Sequence, residues 1–449
     1  MQQDLELLTS RLIEAAKRAG ADAADALAVD GTSIEIDVRG GKLEQAERSE
    51  GTDIGLRVFV GKRQANVSAS DTRDETLRTM AERAVAMARE APEDAYIGLA
   101  DPSQLCRDLE TARLDLFDPS AEPGPADLMQ DAAEAEAAAL AVAGVSQVQG
   151  ASAGYGRRRV HLAASNGFSG GYQRSDRGIS VAAIAGTGSG MERDHDGDSR
   201  IFAADLRAAA DIGRCAGERA VERLNARKPK TGAYPVLFDE RVSSSLIGHL
   251  LSAINGSMIA RGSSWLRGAM DQQVLPAGMS IVEDPLRKRA SGSRLFDAEG
   301  LPTARRMIVD KDGILRTWTL DLASARKLGL ESTANAVRGT SSPPSPAVTN
   351  IALTQGNQSR DDLIAAMGTG LLVTSMIGST INPNTGDYSR GASGFWIEGG
   401  QIAYPVNECT IAGNLRDMLL RLTAANDARA HLSRVVPSLM VEGMTLAGA

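Results

Sequence analysis

Four histidines and three cysteines in 449 residues leave little material for metal or redox chemistry, and aromatic residues, at 4%, cannot carry the core. Packing therefore has to rest on Ala, Leu, Val and Ile. Cys106, Cys215 and Cys409 are odd in number and far apart. A disulfide framework is not expected, a reducing compartment fits, and each cysteine reads as a small buried apolar residue. His161, His195, His249 and His431 are too scattered for two of them to share a helix face or a hairpin. Zinc hydrolysis needs two or three donors converging on one ion, usually with two of them a helical turn apart and a carboxylate beside them as base. A basic excess is missing too. The formal net charge is −8, and only Arg157-Arg158-Arg159 and Arg287-Lys288-Arg289 are locally basic, which argues against nucleic acid as a direct ligand. Gly370-Leu371-Leu372-Val373 is broken by Thr and Ser long before the roughly 20 residues a membrane helix requires. The N-terminus, 1–6, ends on Asp4 and Glu6 and lacks the basic and apolar regions of a signal peptide, so a soluble, cytoplasmic protein with no membrane partner is expected.

Familiar nucleotide and nucleophile motifs are also absent. There is no G-x-x-x-x-G-K-[ST] and no G-x-G-x-x-G opening a helix, so nucleotide binding has little support. Serines stand in Gly262-Ser263-Ser264, Gly292-Ser293 and Gly391-Ala392-Ser393-Gly394, yet none has the strand, elbow and helix of a nucleophile turn, and these glycines read as turn formers. Asp194-His195-Asp196-Gly197-Asp198 holds three carboxylates without the spacing or the closing Glu of a calcium loop, and reads as a solvated loop.

What is present points to a globular chain rich in hairpins. Hydrophobic residues make up 43% and charged ones 24%, and 46 glycines, above the usual share of about 7%, fall between short alternating segments. The spacing predicts a helix over 4–18 stopped by Gly20. A strand over 33–38 then turns at Gly40-Gly41 and returns over 42–50, and a second hairpin pairs 54–60 with 64–69 about Gly61-Lys62. Asp71 or Thr72 is placed to cap a helix running to Arg89. Residues 92–125, with five prolines, read as a connector. A helix over 126–142, strands over 145–153, 157–165, 171–175 and 178–186, and a helix over 202–224 then repeat the theme of helix, strands, helix. Beyond Lys228-Pro229-Lys230 the character changes. A strand over 234–238 leads through Asp239 into a helix over 242–255 with the stripe Leu246, Ile247, Leu250, Leu251 and Ile254. Strands follow over 281–285, 305–310, 315–321, 350–353 and 395–404, with one more helix over 359–368. The expectation is an α+β, two-domain protein. An N-terminal α/β domain of helices and antiparallel sheet spans 1–230, its connector at about 92–125, and a β-rich C-terminal domain spans 231–449. His249 flanks the helical stripe and reads as a half-buried packing residue, with catalysis as the alternative.

Several phrases carry a resemblance. They are Leu246-Ile247-Gly248-His249-Leu250-Leu251 leading to Ile259-Ala260-Arg261-Gly262-Ser263-Ser264, then Gly292-Ser293-Arg294-Leu295-Phe296-Asp297-Ala298-Glu299-Gly300, and Asp387-Tyr388-Ser389-Arg390-Gly391-Ala392-Ser393-Gly394-Phe395-Trp396. Ile402-Ala403-Tyr404-Pro405-Val406, Thr410-Ile411-Ala412-Gly413-Asn414-Leu415 and Glu442-Gly443-Met444-Thr445 continue it, with Glu50-Gly51-Thr52-Asp53-Ile54-Gly55 nearer the start. Together they resemble the PmbA/TldE branch of the TldD/PmbA family along nearly the whole chain. In the TldD branch the helix before the Arg-Gly-Ser/Thr-Ser phrase carries HExxxH, which with a cysteine near the C-terminus holds the metal. Counted back without gaps from Arg261, those positions fall on Ile247, Gly248 and Ser252. His249 is out of register, 434–439 holds no cysteine, and Cys409 lies in a different phrase.

The resemblance thus implies a TldD/PmbA-like fold and a zinc-less, non-catalytic subunit of a TldD/TldE-type metalloprotease complex. No cofactor is expected in this chain, with zinc in a TldD-type partner and unfolded or leader peptides as substrate. Homodimerisation in the partner's absence is left open. A sheet-lined, glycine-rich cleft would accept an extended peptide as an added strand. Arg261, Gly262, Asp387, Tyr388, Ser389, Arg390 and Gly391 would line that cleft or the subunit interface, or serve as structural turns. Two other readings stand beside it: the chain is itself a metallopeptidase, with His249 and other donors assembled in space or across a homodimer, or it is a binding protein that modulates DNA gyrase, as the family's historical name suggests.

Overall fold

The computed structural model describes residues 4–448; residues 1–3, part of the N-terminal reading, and residue 449 lie outside the described residues. Its first part lays two similar arrangements side by side in one sheet. α1 (Leu5–Arg18), β1 (Ala23–Arg39), β2 (Lys42–Val60), β3 (Arg63–Ala69) and α2 (Asp74–Glu90) are followed by α3 (Pro125–Leu140), β4 (Val145–Ala164), β5 (Ser169–Ala185), β6 (Glu192–Arg200) and α4 (Ala209–Glu222). The six strands run in the order β3-β2-β1-β4-β5-β6 with every neighbour antiparallel.

The turns at Gly40-Gly41 and Gly61 have the positive φ that hairpins require, but the strands between them are longer than the sequence suggested. Segments 42–50 and 54–60 are halves of one 19-residue strand, and the four short strands expected over 145–186 fuse into β4 and β5. The breaks expected in these strands fell at Gly51, Gly154 and Gly156. They stand inside the ladder, Gly51 opposite Gly31 and Gly154 opposite Gly178, where a missing side chain leaves one sheet face open.

The run Asp194-His195-Asp196-Gly197-Asp198 is likewise no solvated loop. It is β6, paired with β5 and with Asp194 and Asp196 buried. Arg241 lies 3.0 Å and Arg223 3.3 Å from Asp194, while Arg219 and Arg207 lie 2.8 and 2.7 Å from Asp196. These cations come from residues far along the chain, so local spacing could not announce them. Two helix starts also differ. α4 begins at Ala209 rather than 202, and α2 has Arg73 at its N-cap, with Asp71 taking the Arg73 N–H and the Thr76 hydroxyl instead of capping the helix.

All four helices cover the same sheet face. Even-numbered positions of β1 alternate into it: Ala24, Ala26 and Ala28 pack under α1 and α2, and Ile34, Ile36 and Val38 under α3 and α4. Helices α3 and α4 touch through small residues, and a Cβ on Gly213 would stand 2.0 Å from the Ala135 carbonyl oxygen.

The second part comprises β7 (Gly232–Phe238), α5 (Glu240–Ala253), α6 (Gly256–Arg261), β8 (Ile281–Glu283), β9 (Arg306–Val309), α7 (Leu322–Leu328), β10 (Ala336–Val337), β11 (Ser345–Pro346), β12 (Ile351–Leu353) and α8 (Arg360–Met367). It ends with β13 (Gly370–Ile381), β14 (Asp387–Glu398), β15 (Gln401–Asn414), α9 (Leu415–Leu420), β16 (Leu422–Ala424), β17 (Arg434–Val435) and β18 (Leu439–Ala447). The main sheet runs β15-β14-β13-β7-β18-β16, and β15 also pairs with β18, so five of its strands close on themselves. A smaller sheet runs β17-β12-β8-β9. The strand expected over 315–321 is not formed; Asp321 instead caps α7 by accepting the Ser324 N–H. The strand expected over 395–404 is the tip of a hairpin that turns at Gly399-Gly400.

The two parts meet on the sheet face without helices. Leu27 and Leu162 pack there with Cys106, Leu114 and Leu116 of the connector and with Leu295 and Phe296 of the second part. Thr340 lies against Gly55 so closely that a Cβ there would stand 2.2 Å from its carbonyl oxygen. Cys106 and Cys409 are buried as expected, but Cys215 on α4 is only half-buried. Among the described residues, no helix is long and apolar enough to cross a membrane.

Candidate functional site

Helix α5 starts at Asp239, whose carboxylate accepts the Arg241 N–H, and buries Leu246, Ile247, Leu250 and Leu251 in the core of the second part. That stripe turns His249 toward β14. Its ring meets Tyr388 edge to face, centroids 5.9 Å apart, and its Nε2 is buried without a hydrogen-bond partner. Burial and then the charge of Arg390 push its pKa down to about 4, so the imidazole is neutral near pH 7. Burial pushes the Tyr388 phenol up to about 12, and its hydroxyl points to Met376 Sδ at 3.4 Å. The imidazole thus packs against a neutral phenol. Among the described residues, no group of three or more His, Cys, Asp or Glu side chains could hold a metal ion.

The three positions at which the zinc motif would fall are equally unsuited. Ile247 is fully buried in the core, Ser252 is exposed and donates to the Gly248 carbonyl at 2.9 Å, and Gly248 offers no side chain. A Cβ at Gly248 would meet Arg434 Nη1 at 3.2 Å. The helix and the C-terminal stretch that the resemblance pairs around a metal therefore do meet. A guanidinium stands between them, where it repels a cation. Arg434 escaped the sequence reading because nothing in its own neighbourhood signals that it faces residue 248.

The other site residues gather around the same hairpin. Arg261 ends α6, exposed, and Gly262 caps it at φ +75°, its would-be Cβ 2.9 Å from Arg267 Nη1. The chain then bends so that the Trp265 N–H donates to the Pro383 carbonyl at 2.7 Å, bringing 261–266 against the turn before β14. Asp387 accepts the Thr385 hydroxyl at 2.6 Å and the Asn414 amide at 3.1 Å, which hold its carboxyl below the usual range. Arg390 Nε donates to the Gly378 carbonyl at 2.7 Å. Residues 387–394, whose glycines read as turn formers, are in fact strand β14, bonded to β13 on one side and β15 on the other. Tyr388, Ser389 and Gly391 thus have no free main-chain edge to offer a peptide. A free edge lies in the first part: β3 pairs with β2 only from Ile54 onward, so among the described residues no strand lies beside the outer edge of β2 over 42–53.

Comparison with known proteins gives a consistent picture. Models of the PmbA/TldA metallopeptidase domain 1, central domain and C-terminal domain match residues 24–88, 118–224 and 231–448 in succession. The Metalloprotease PmbA of Escherichia coli O157:H7 is 35% identical over 429 residues, covering 95% of this chain and 92% of that protein. The Metalloprotease PmbA homolog of Haemophilus influenzae is also 35% identical, over 100% of this chain and 97% of its own length. The crystal structure of a candidate modulator of DNA gyrase from Bacteroides thetaiotaomicron superposes with a TM-score of 0.92 at 28% identity and full coverage of both chains. TldE from Thermococcus kodakarensis shares the fold, with a TM-score of 0.85 at 20% identity over 98% of this chain and 100% of that one.

Proposed function

This chain belongs to the PmbA/TldD metallopeptidase family, and from that premise we propose that it is the zinc-less subunit of a two-component peptidase whose metal sits in a TldD-type partner. The observation that carries the reading is Arg434 beside Gly248: where the resemblance expects metal ligands, this chain has a cation and a glycine. The residues present do not fit zinc, so no hydrolytic step is assigned to them. What this chain offers is binding surface. The free edge of β2 can add an extended peptide through main-chain hydrogen bonds, and such binding tolerates varied sequences, as unfolded or leader peptides would need. The surface formed by Arg261, Gly262 and 387–391, whose main chain is fully paired, suits contact with a partner subunit better than with substrate.

The test combines metal analysis with reconstitution. The purified chain should hold far less than one equivalent of zinc and cleave no unfolded peptide, with cleavage appearing on addition of a TldD-type subunit. About one equivalent of zinc together with cleavage by the chain alone would sink the proposal. His249→Ala should leave the activity of the reconstituted pair within about twofold, because its loss removes a packing contact and no ligand. Abolished cleavage with the assembly intact would instead make His249 catalytic.

A further inference from the structure

Three arginines meet at the junction of the two parts, where Arg294 feels the charges of Asp297 and Glu283 but pairs with neither. Arg158 on β4 and Arg174 on β5 are direct cross-strand partners, an arrangement that is destabilising for like charges unless an anion lies across it. Arg294 approaches from the segment between β8 and β9. Burial holds the Arg174 pKa below the ordinary guanidinium value, and the charges of Arg158 and Arg294 push it the same way. Arg174 donates to the carbonyls of Ser291 and Ser293, and Arg294 to that of Ala347 at 3.2 Å, yet each keeps a buried Nε with no partner. Among the described residues, none of the three takes part in an ion pair. Other arginines near the junction do: Arg159 pairs with Asp30, Arg200 with Asp198 and Arg289 with Asp205.

Arg158 also lines a cavity of about 380 Å³ and a second of about 220 Å³ that Arg174 shares. The larger has an apolar floor of Leu27, Val29, Leu162, Tyr172 and Phe296 beneath Arg294, a volume and a mixture suited to one side chain with an acidic group attached. Acidic residues nearby do not fill the role. Asp297 turns its oxygens to the N–H groups of Glu299, Leu301 and Ala336, Asp53 at the rim accepts the Ser70 hydroxyl, and Asp176 lies exposed in the smaller cavity. A further cleft, lined by Gly31, Gly51, Gly156 and Arg158, leads over the open sheet face, where an extended backbone can lie close.

We propose that this arginine pocket takes the C-terminal carboxylate of an extended peptide, with the last side chain, an apolar one, on the floor of the larger cavity. Guanidinium forks match a carboxylate in two parallel hydrogen bonds. The inference deepens the reading of the chain as a peptide-handling subunit and rests on it.

The whole chain is titrated, by fluorescence anisotropy, into an N-terminally labelled, flexible hexapeptide ending in Leu, once as the free acid and once as the amide. The free acid should bind at least about tenfold more tightly than the amide, and Arg158→Gln should erase that difference. Because Arg158 is exposed and takes part in no ion pair among the described residues, Arg158→Gln should not lower the thermal midpoint, which separates lost binding from lost folding. Arg294→Gln supplies a second variant from the other part and should weaken the free acid alike. Equal affinity for acid and amide, or no binding of either, overturns the pocket. Arg158-dependent binding of inorganic phosphate without preference for the acid peptide overturns its assignment to peptides. A reconstituted pair that cleaves acid and amide peptides equally well defeats this inference and leaves the subunit reading standing. Acid-selective binding by a chain that activates no TldD-type partner does the reverse.

Discussion

Replacing Asp25 by Ala is expected to cost about 3–5 kcal/mol of stability and to loosen the second part from the first, because it strands two buried guanidinium groups. Asp25 Oδ2 accepts Arg57 Nε at 2.8 Å, and its Oδ1 accepts Arg338 Nη1. The side chains of Asp25, Arg57 and Arg338 are 3%, 5% and 0% exposed, so bulk water does little to screen their charges. Arg338 has no fallback, since its Nε and Nη2 already lack partners. It also comes from the second part, on the segment that seats Thr340 against Gly55. The variant should therefore unfold at lower denaturant concentration and gain hydrogen-exchange or protease sensitivity around 337–342. Asp25→Asn, which keeps an acceptor and loses the charge, should fall between. The pH dependence has a definite sign. Burial acts to raise the Asp25 pKa, but the charges of Arg338 and Arg57 outweigh it and hold the folded pKa below 3.8. Its contribution is thus present above that value and is lost as pH falls through the lower folded one. An unchanged midpoint for the Ala variant would show that the triad carries no net stability.

Glu299→Gln should do the opposite and stabilise the protein by up to a few kcal/mol at pH 8, with little effect near pH 4. Glu299 is buried close to two further buried carboxylates, Asp297 and Asp321, and its Oε2 accepts the Leu322 N–H at 2.8 Å. Burial first, and then the charge of Asp297, pushes its pKa up to about 8 from 4.5. Below about 4.5 both folded and unfolded chains hold the proton, and the residue is neutral in its effect. Between 4.5 and about 8 only the folded chain holds it, so each step up in pH favours unfolding, and the penalty is complete above about 8. Glutamine keeps the carbonyl for Leu322 and cannot ionise. Thermal midpoints taken from pH 5 to 8.5 should fall for the parent chain and stay flatter for the variant. Parallel slopes would mean that Glu299 is ionised in the fold.

Local chemistry made some of this architecture legible. Asp239 and the stripe from Leu246 to Ile254 placed α5 within two residues at each end, and Gly40-Gly41 and Gly61 marked their hairpins. Gly51, Gly154 and Gly156 misled, because the same missing side chain that permits a turn also permits an open face in a continuous strand. The candidate site divides along the same line. The absent zinc motif could be placed on α5 by counting from Arg261. The strand character of 387–394 could not be seen, since a strand's hydrogen bonds are made with β13 and β15 rather than within itself.

By itself, the sequence determined that donors for a metal are scarce, that short turns separate alternating segments, and that Ile247, Gly248 and Ser252 stand where the resemblance would put the zinc motif. Those properties reside in side-chain identity and near-neighbour spacing. Only the tertiary structure decided that Arg434 faces Gly248, that Arg338 reaches Asp25, that the aspartates of β6 are paired, and that Arg158, Arg174 and Arg294 converge without an ion pair among the described residues. Each joins residues from separate strands or helices. Charge and burial at such places follow from which surfaces the fold brings together, which spacing along a single chain does not encode.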